Sequence, residues 1–342
     1  MYMTLLFALL GLLIPAAAPP PTRPGALRVV AVSASSALPK WQGYTFDAAN
    51  LIDGRVDTSW QPAKKNTMGV GQWVELDLGA PHELSSIEIA QGLQKVDPKL
   101  GDLFCRNNRF AGAVMLFDDG TFAPVWSSPG DDVVKVELYY RGEAIPGREV
   151  KTITRFIRLV VQSVNEPVDW KDIAIAEIRV FGRPAAASPA DPATVACDRP
   201  GVWPLRVAVS NFCAANLETR SKHDCAALVL AFAECRTFDQ GYQPVPGFAA
   251  DAIAKGEVVH TLTIRGVRHR LELARAADGS WSVKRHVRLD AAGKTAAPVS
   301  EFLVEPDRNE QNKCFEKLGK PRPDSGDEDS HEDGDEGGDG AE

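Results

Sequence analysis

Two groups of side chains in this 342-residue chain have types and spacings suited to chemistry. The first is Asp53, Asp57 and Thr58, clustered in the run Asn50-Leu51-Ile52-Asp53-Gly54-Arg55-Val56-Asp57-Thr58-Ser59-Trp60. With Glu177 from far downstream they form a donor set for a hard cation. Calcium in particular collects several carboxylate and turn-carbonyl oxygens at a tight turn. The same residues also have a structural use: Asp53 can cap its own turn on backbone N–H groups, and Glu177 can enter a salt bridge. The second group is Trp41, Tyr44 and Trp170, aromatics in polar, loop-like contexts that suit an exposed stacking surface. Gln91, Lys95, Asn108 and Arg109 would add the hydrogen bonds that orient ligand hydroxyls. Asn107-Asn108-Arg109 equally suits a turn leading into a strand. Trp60 and Trp73 are expected to pack inside the fold, where large aromatics supply core area.

Signals for catalysis are sparse. The chain has no G-x-S-x-G, H-E-x-x-H or Walker-type glycine loop. Glu234 and Glu257 are available carboxylates, and His260, His269 and His286 lie close to Arg268, Arg270, Arg285 and Arg288. That pattern predicts a solvated face. Cys105, Cys197, Cys213, Cys225, Cys235 and Cys314 make an even count, which in an exported chain reads as disulfides of open pairing. A metal site built from His223 with Cys213, Cys225 and Cys235 lacks a paired C-x-x-C. Ser221 to Asp224 resembles a capping box ahead of a helix ending near Cys235. Across such a helix Cys225 and Cys235 stand roughly 15 Å apart, too far to bridge to each other.

Short strands must position these residues. Trp73–Leu78 alternates apolar and acidic side chains, and Ile87–Ala90, Ala113–Phe117, Val133–Tyr140, Phe156–Val161 and Ala174–Phe181 follow with turn signals between them. Many short strands without a long intervening helix predict a sandwich or jelly roll. Pro184 to Pro192 reads as a linker. Beyond it, a buried helix at Lys222–Cys235 and strands at Val258–Ile264, Val267–Ala274 and Trp281–Leu289 predict a small α+β unit. The expected divisions are residues 1–24 (signal peptide and Pro-rich linker), 29–183 (sandwich), 184–194 (linker), 195–320 (disulfide-stabilised α+β) and 321–342 (tail).

The net charge of −8 belongs to the tail, since ten acidic residues and no Lys or Arg lie between Asp324 and Glu342. The near-neutral body gives no basis for nucleic-acid binding. The tail has no apolar anchor and reads as disordered. Thr4 to Ile14 is apolar but far short of the roughly 20 residues that span a bilayer. It suits the core of a secretory signal, so a secreted or periplasmic chain is expected and an integral membrane protein is not.

Three blocks carry a family resemblance. They are Asn50–Trp60 with Gly71-Gln72-Trp73-Val74-Glu75-Leu76-Asp77-Leu78-Gly79, then Gln91-Gly92-Leu93-Gln94-Lys95 with Asn107-Asn108-Arg109, and last Asp172-Ile173-Ala174-Ile175-Ala176-Glu177-Ile178-Arg179-Val180-Phe181-Gly182. Together they resemble the discoidin-like, galactose-binding-type sandwich, and more closely the glycan-binding translocation domain beside bacterial NAD glycohydrolases. Gln91 and Leu93 stand where that domain usually has Asn and Tyr. Leu93 offers contact area but no π-face for a sugar ring. The resemblance implies ligand binding at loop tips and one structural calcium held by the Asp53 turn with Glu177. The function expected is an exported, non-catalytic protein binding a glycan or the cell envelope. The alternatives are the targeting module of a secreted toxin or enzyme, and a protein-interaction module. Oligomeric state stays open.

Overall fold

The computed structural model describes residues 25–63, 68–119, 121–128, 130–138, 152–165, 170–185, 202–215, 229, 254–264 and 267–289. The leader, most of the linker, nearly all of the helix expected at 222–235 and the acidic tail lie outside them.

Period-two patterning makes the described residues between 25 and 185 a sandwich. Its strands are β1 (Gly25–Ala26), β2 (Ala31–Ala34), β3 (Trp73–Gln91), β4 (Val96–Asp97) and β5 (Gly101–Asp102), then, after the single-turn α1 (Leu103–Arg106), β6 (Phe110–Phe117), β7 (Phe122–Trp126), β8 (Val133–Glu137), β9 (Ile153–Val164) and β10 (Ile175–Pro184). Eight of them form one antiparallel sheet in the order β1-β10-β3-β9-β6-β7, with β2 and β8 also on β3. The two expected strands Trp73–Leu78 and Ile87–Ala90 are one 19-residue strand that serves both layers. Its first half pairs with β2 and β9, and its second half with β10 and β8. Gly79, at φ +78°, and Pro81 mark the crossover, where the register against β9 shifts between Asp77 and His82.

Folding over at that point faces Val74 and Leu76 of one layer towards Ile87, Ile89, Ile178 and Val180 of the other, with Met115, Phe117 and Leu159 between them. Trp60 is fully buried in this core, and its indole N–H donates to Ser36 O at 2.8 Å. Emptying such an aromatic site costs about 3–5 kcal/mol.

All of Phe110–Phe117 is buried because its sheet is covered on both sides. The outward residues Val114, Leu116 and Val160 share a second cluster with Leu205, Ala208 and Val209 of helix α2 (Val202–Ala215) and with Val258, Leu271 and Leu273 of an antiparallel meander. That meander is β11 (Glu257–Ile264), β12 (Val267–Arg275) and β13 (Trp281–Leu289). Arg158 of β9 fastens the layers together. Its buried guanidinium pairs with Glu75 at 2.8 Å, donates to Ser210 Oγ at 2.6 Å, and lies 3.8 Å over the Trp73 ring. Trp73 therefore packs beneath this cover and Trp60 inside the sandwich. Cys213 of α2 is a buried thiol, whereas Cys105 is disulfide-bonded.

The histidines of the meander correct one expectation. His260 and His269 are buried, with 5% and 1% exposure, and the His269 and His286 rings stack at 5.3 Å with an Nδ1···Nε2 contact of 3.0 Å. They share the inner face with Leu271 and Leu273 because strand alternation turns Arg268 and Arg270 outward. Burial lowers the His260 pKa to about 4. An unfolded chain takes up this proton near pH 6.5, so the neutral ring favours the fold above that pH and its contribution is lost as pH falls towards 4. His260→Leu is expected to flatten that slope, on the order of 2 kcal/mol between pH 7 and 5. Urea unfolding of parent and variant at both pH values reads it, and equal slopes would refute the assignment.

Candidate functional site

A short hairpin presents the aromatics. Trp41 and Tyr44 exchange backbone hydrogen bonds of 3.1 and 2.8 Å around Gln42-Gly43, whose φ angles are +47° and +88°. Two successive positive φ values make the tight type I′ geometry that matches strand twist, with glycine at the second position. Asn50 ties the hairpin down, its Nδ2 donating to Thr45 O at 2.8 Å and Ser59 O at 2.9 Å. This is how the Asn50–Trp60 block, whose Trp60 also bridges Ile175, sets the position of Tyr44.

Trp41, 45% exposed, meets Trp170 edge to face at 6.3 Å, and Tyr44 stacks on Phe46 at 6.4 Å. Between them opens a pocket of about 360 Å3. Leu93, Leu100 and Leu103 complete its apolar wall, and Gln61, Asn107 and Asp172 supply polar groups. Asn107 is 2% exposed, and its Oδ1 has no hydrogen-bond partner among the described residues. A buried acceptor of this kind favours a ligand hydroxyl that can donate to it.

A second hollow of about 410 Å3 lies on the other side of Tyr44, lined by Arg55, Asp57, Thr58, Ser59, Lys95 and Asp97 among others. Tyr44 OH donates to Asp97 Oδ2 at 2.7 Å, and Lys95 Nζ stands 4.5 Å over the Tyr44 ring. The hydrogen bond to Asp97, then burial, raises the phenol pKa. The same bond holds the Asp97 carboxyl below its usual range. Asp97 Oδ1 also accepts from the N–H groups of Lys99 and Leu100, so Tyr44 fixes the loop that carries the Leu100 wall.

Trp41, Tyr44, Lys95 and Trp170 thus come together, while Gln91, Asn108 and Arg109 are buried at 5% exposure or less and line neither hollow. Gln91 Nε2 donates to Ser127 Oγ. Asn108 joins Asp172 and Ala174 through backbone hydrogen bonds of 2.9 and 3.1 Å. Arg109 Nη1 donates to Phe104 O at 2.6 Å beneath that residue's ring, and burial lowers its pKa to about 10. Gly92 makes room for this packing, since a Cβ there would lie 2.5 Å from Phe104 Cδ2. These polar side chains build the loops behind the pocket. Of the Asn107-Asn108-Arg109 run it is Asn107, not chosen from the sequence as a ligand residue, that lines the first hollow. Leu38, Phe46, Gln61 and Asp172 carried no signal of their own.

The acidic turn sits at one end of β10. Asp53 Oδ1 accepts from Arg55 N at 2.9 Å and its Oδ2 from Thr58 Oγ1 at 2.8 Å, while Glu177 Oε2 accepts from Gly54 N at 3.2 Å. Asp57 is engaged differently, in a two-pronged pair with Arg55 at 2.9 and 2.8 Å. Burial, with Asp53 nearby as a smaller cause, raises the Glu177 pKa to about 7.

Residues 31–97 match the F5/8 type C domain family, and with the sheet order this makes the sandwich discoidin-like. No curated protein matches the chain. Among solved structures, the chain is similar to the CBM32 of AlyQ in complex with 4,5-unsaturated mannuronic acid, at 20% identity and TM-score 0.31 over 46% of this chain and 98% of that one. It is also similar to the family 32 CBM from C. perfringens NanJ in complex with galactose, at 18% identity and TM-score 0.31 over 44% and 92%. A third is chitosan-binding module 1 of a chitosanase/glucanase from Paenibacillus sp. IK-5, at 18% identity and TM-score 0.30 over 47% and 98%.

Proposed function

We propose that this chain is an exported carbohydrate-binding protein, non-catalytic in its sandwich, that takes a sugar ring of a glycan or cell-envelope polymer between Tyr44 and Trp170. The convergence of Trp41, Tyr44 and Trp170 on one pocket carries this reading. A sugar ring has an apolar C–H face and a hydroxyl rim. Aromatic walls match the first and Gln61, Asn107 and Asp172 match the second. A glycan array probed with the full chain and with the Trp41→Ala/Trp170→Ala double variant tests it. Binding by the parent and loss in the variant is expected. Silence across the array would transfer the pocket to a protein partner.

The Asp53 turn suits one structural calcium ion. Asp53, Thr58 and Glu177 would hold it with turn carbonyls, and Asp57 would stay with Arg55. Two carboxylates beside Gly54, one of them buried, are a donor set that a divalent charge stabilises. The bound ion would pin the turn to β10 and so brace the segment that holds the Trp41–Tyr44 hairpin.

The apolar leader lies outside the described residues, and a disulfide at Cys105 supports an oxidising compartment. Among the described residues no helix is long and apolar enough to cross a membrane.

A further inference from the structure

Trp126 is the most exposed aromatic side chain of the described residues, at 73%. It ends the edge strand β7, on the outer face shared with Phe122 and Pro124. Phe122 is covered by the α2–meander layer, but the cover stops short of Trp126. Its partner across the ladder is Gly112. A Cβ on Gly112 would lie 2.9 Å from Trp126 Cζ3 and 2.8 Å from Ser163 Oγ. The missing side chain therefore lets the indole lean down beside the Ser163 hydroxyl and leaves the rest of the ring to solvent. Gln162, next to Ser163, keeps a buried Nε2 without a hydrogen-bond partner among the described residues. An edge strand of this kind would ordinarily invite strand addition. Pro124 has no N–H to offer such a partner, so the indole is the feature that can bind.

This platform lies at the pocket's end of the sandwich. Ser127 N donates to Ala111 O at 3.0 Å, Gln94 Nε2 to Asp132 O at 2.8 Å, and Trp170 N to Arg106 O at 2.8 Å. The loops around Trp126, Leu93, Asn107 and Trp170 therefore adjoin. Asn107 lines the pocket and Gly112 lies under Trp126; five residues of chain separate them by at most about 18 Å. A chain of several sugar rings is long enough to touch both places.

We propose that Trp126 is a second stacking platform, with Ser163 beside it, for the distal rings of a polysaccharide whose proximal ring occupies the Tyr44 pocket. This rests on the glycan reading of that pocket. Two contacts on one ligand make the second nearly intramolecular, so affinity should climb with chain length until the platform is reached.

The test titrates the full chain with β-1,4-galactan, chitosan and alginate oligosaccharides running from the monosaccharide to about the hexamer. Trp126→Ala is expected to leave the shortest ligands unchanged and to weaken the longest about tenfold, the loss of one aromatic stack. Trp126→Phe should keep most of the long-chain affinity. A Trp41→Ala/Trp170→Ala variant should lose every length. If Trp126→Ala matches the parent at all lengths while the pocket variant loses binding, the platform is refuted and the pocket stands. If only Trp126→Ala weakens binding, the pocket reading fails and the platform stands alone. If the parent binds no member of the series, both fall.

Discussion

Tyr44→Ala is expected to weaken glycan binding about a hundredfold, which corresponds to about 3 kcal/mol. The effect is large because Tyr44 has three roles in the site. Its ring is a wall of both hollows, its hydroxyl holds Asp97, and its π-face carries Lys95. Removing the ring takes away the stacking surface. It also frees Asp97, which orders the Lys99–Leu100 loop by accepting its N–H groups. Tyr44→Phe separates these roles, since it keeps the ring and loses only the hydroxyl; a loss nearer threefold to tenfold is expected. Calorimetric titration with a glycan returned by the array measures both. The raised phenol pKa keeps the hydroxyl protonated and donating, so the Tyr–Phe difference should not vary between pH 6 and 8. Equal affinity for Tyr44→Ala and the parent would move the ligand away from this pocket.

The sheet was legible in the sequence because alternation is a local signal. Trp73–Leu78 shows which side chains share a face, with Val74, Leu76 and Leu78 on one side and Glu75 and Asp77 on the other, and the structure keeps those faces. The crossover within β3 was not legible. Trp73–Leu78 and Ile87–Ala90 read as two separate strands, yet the chain runs through Gly79 and Pro81 as one strand into the other layer. The covered outer face was also hidden, since Val114 and Val160 find their partners in α2 and the meander, nearly a hundred residues and more beyond Val114. Helix α2 itself contains Pro204, a breaker in mid-helix but tolerated in its first turn. The histidines failed for a related reason. Alternation placed His260 and His269 on one face but could not say that α2 covers it.

The site shows the same division between type and depth. Trp41, Tyr44 and Trp170 are large aromatics in polar surroundings, a combination that seldom occurs in a core, and the pocket assembles from them. Gln91, Asn108 and Arg109 are polar residues in loops, and composition cannot tell a loop's outer surface from its inner scaffold. Their burial follows from Phe104, whose ring covers Arg109 and approaches Gly92. Only the three-dimensional path of α1 brings that ring into place.

Chelating divalent cations is expected to lower the melting temperature by roughly 5 °C at pH 8 and to have little effect at pH 5. The proposed site needs Glu177 ionised, and the surroundings of that carboxyl push its pKa up to about 7. Without a cation, the protonated carboxyl is the form the fold prefers. Its contribution is present below the unfolded pKa near 4.5 and is lost as pH rises through about 7, so stability of the metal-free chain should fall across that window. The loss is on the order of 2 kcal/mol, below the full shift because the carboxylate keeps some contact with water. A bound cation reverses the preference, since its affinity grows as the proton leaves. His260 drives stability the opposite way over an overlapping range, so the comparison must be between variants. Glu177→Gln should abolish both the metal response and this slope, and Asp53→Asn should remove the metal response. Asp57→Asn should keep the metal response, because Arg55 already engages that carboxylate. Thermal unfolding with calcium or with a chelator, at pH 5 and pH 8, reads every arm. A metal response that survives Glu177→Gln, or disappears with Asp57→Asn, would place the cation elsewhere.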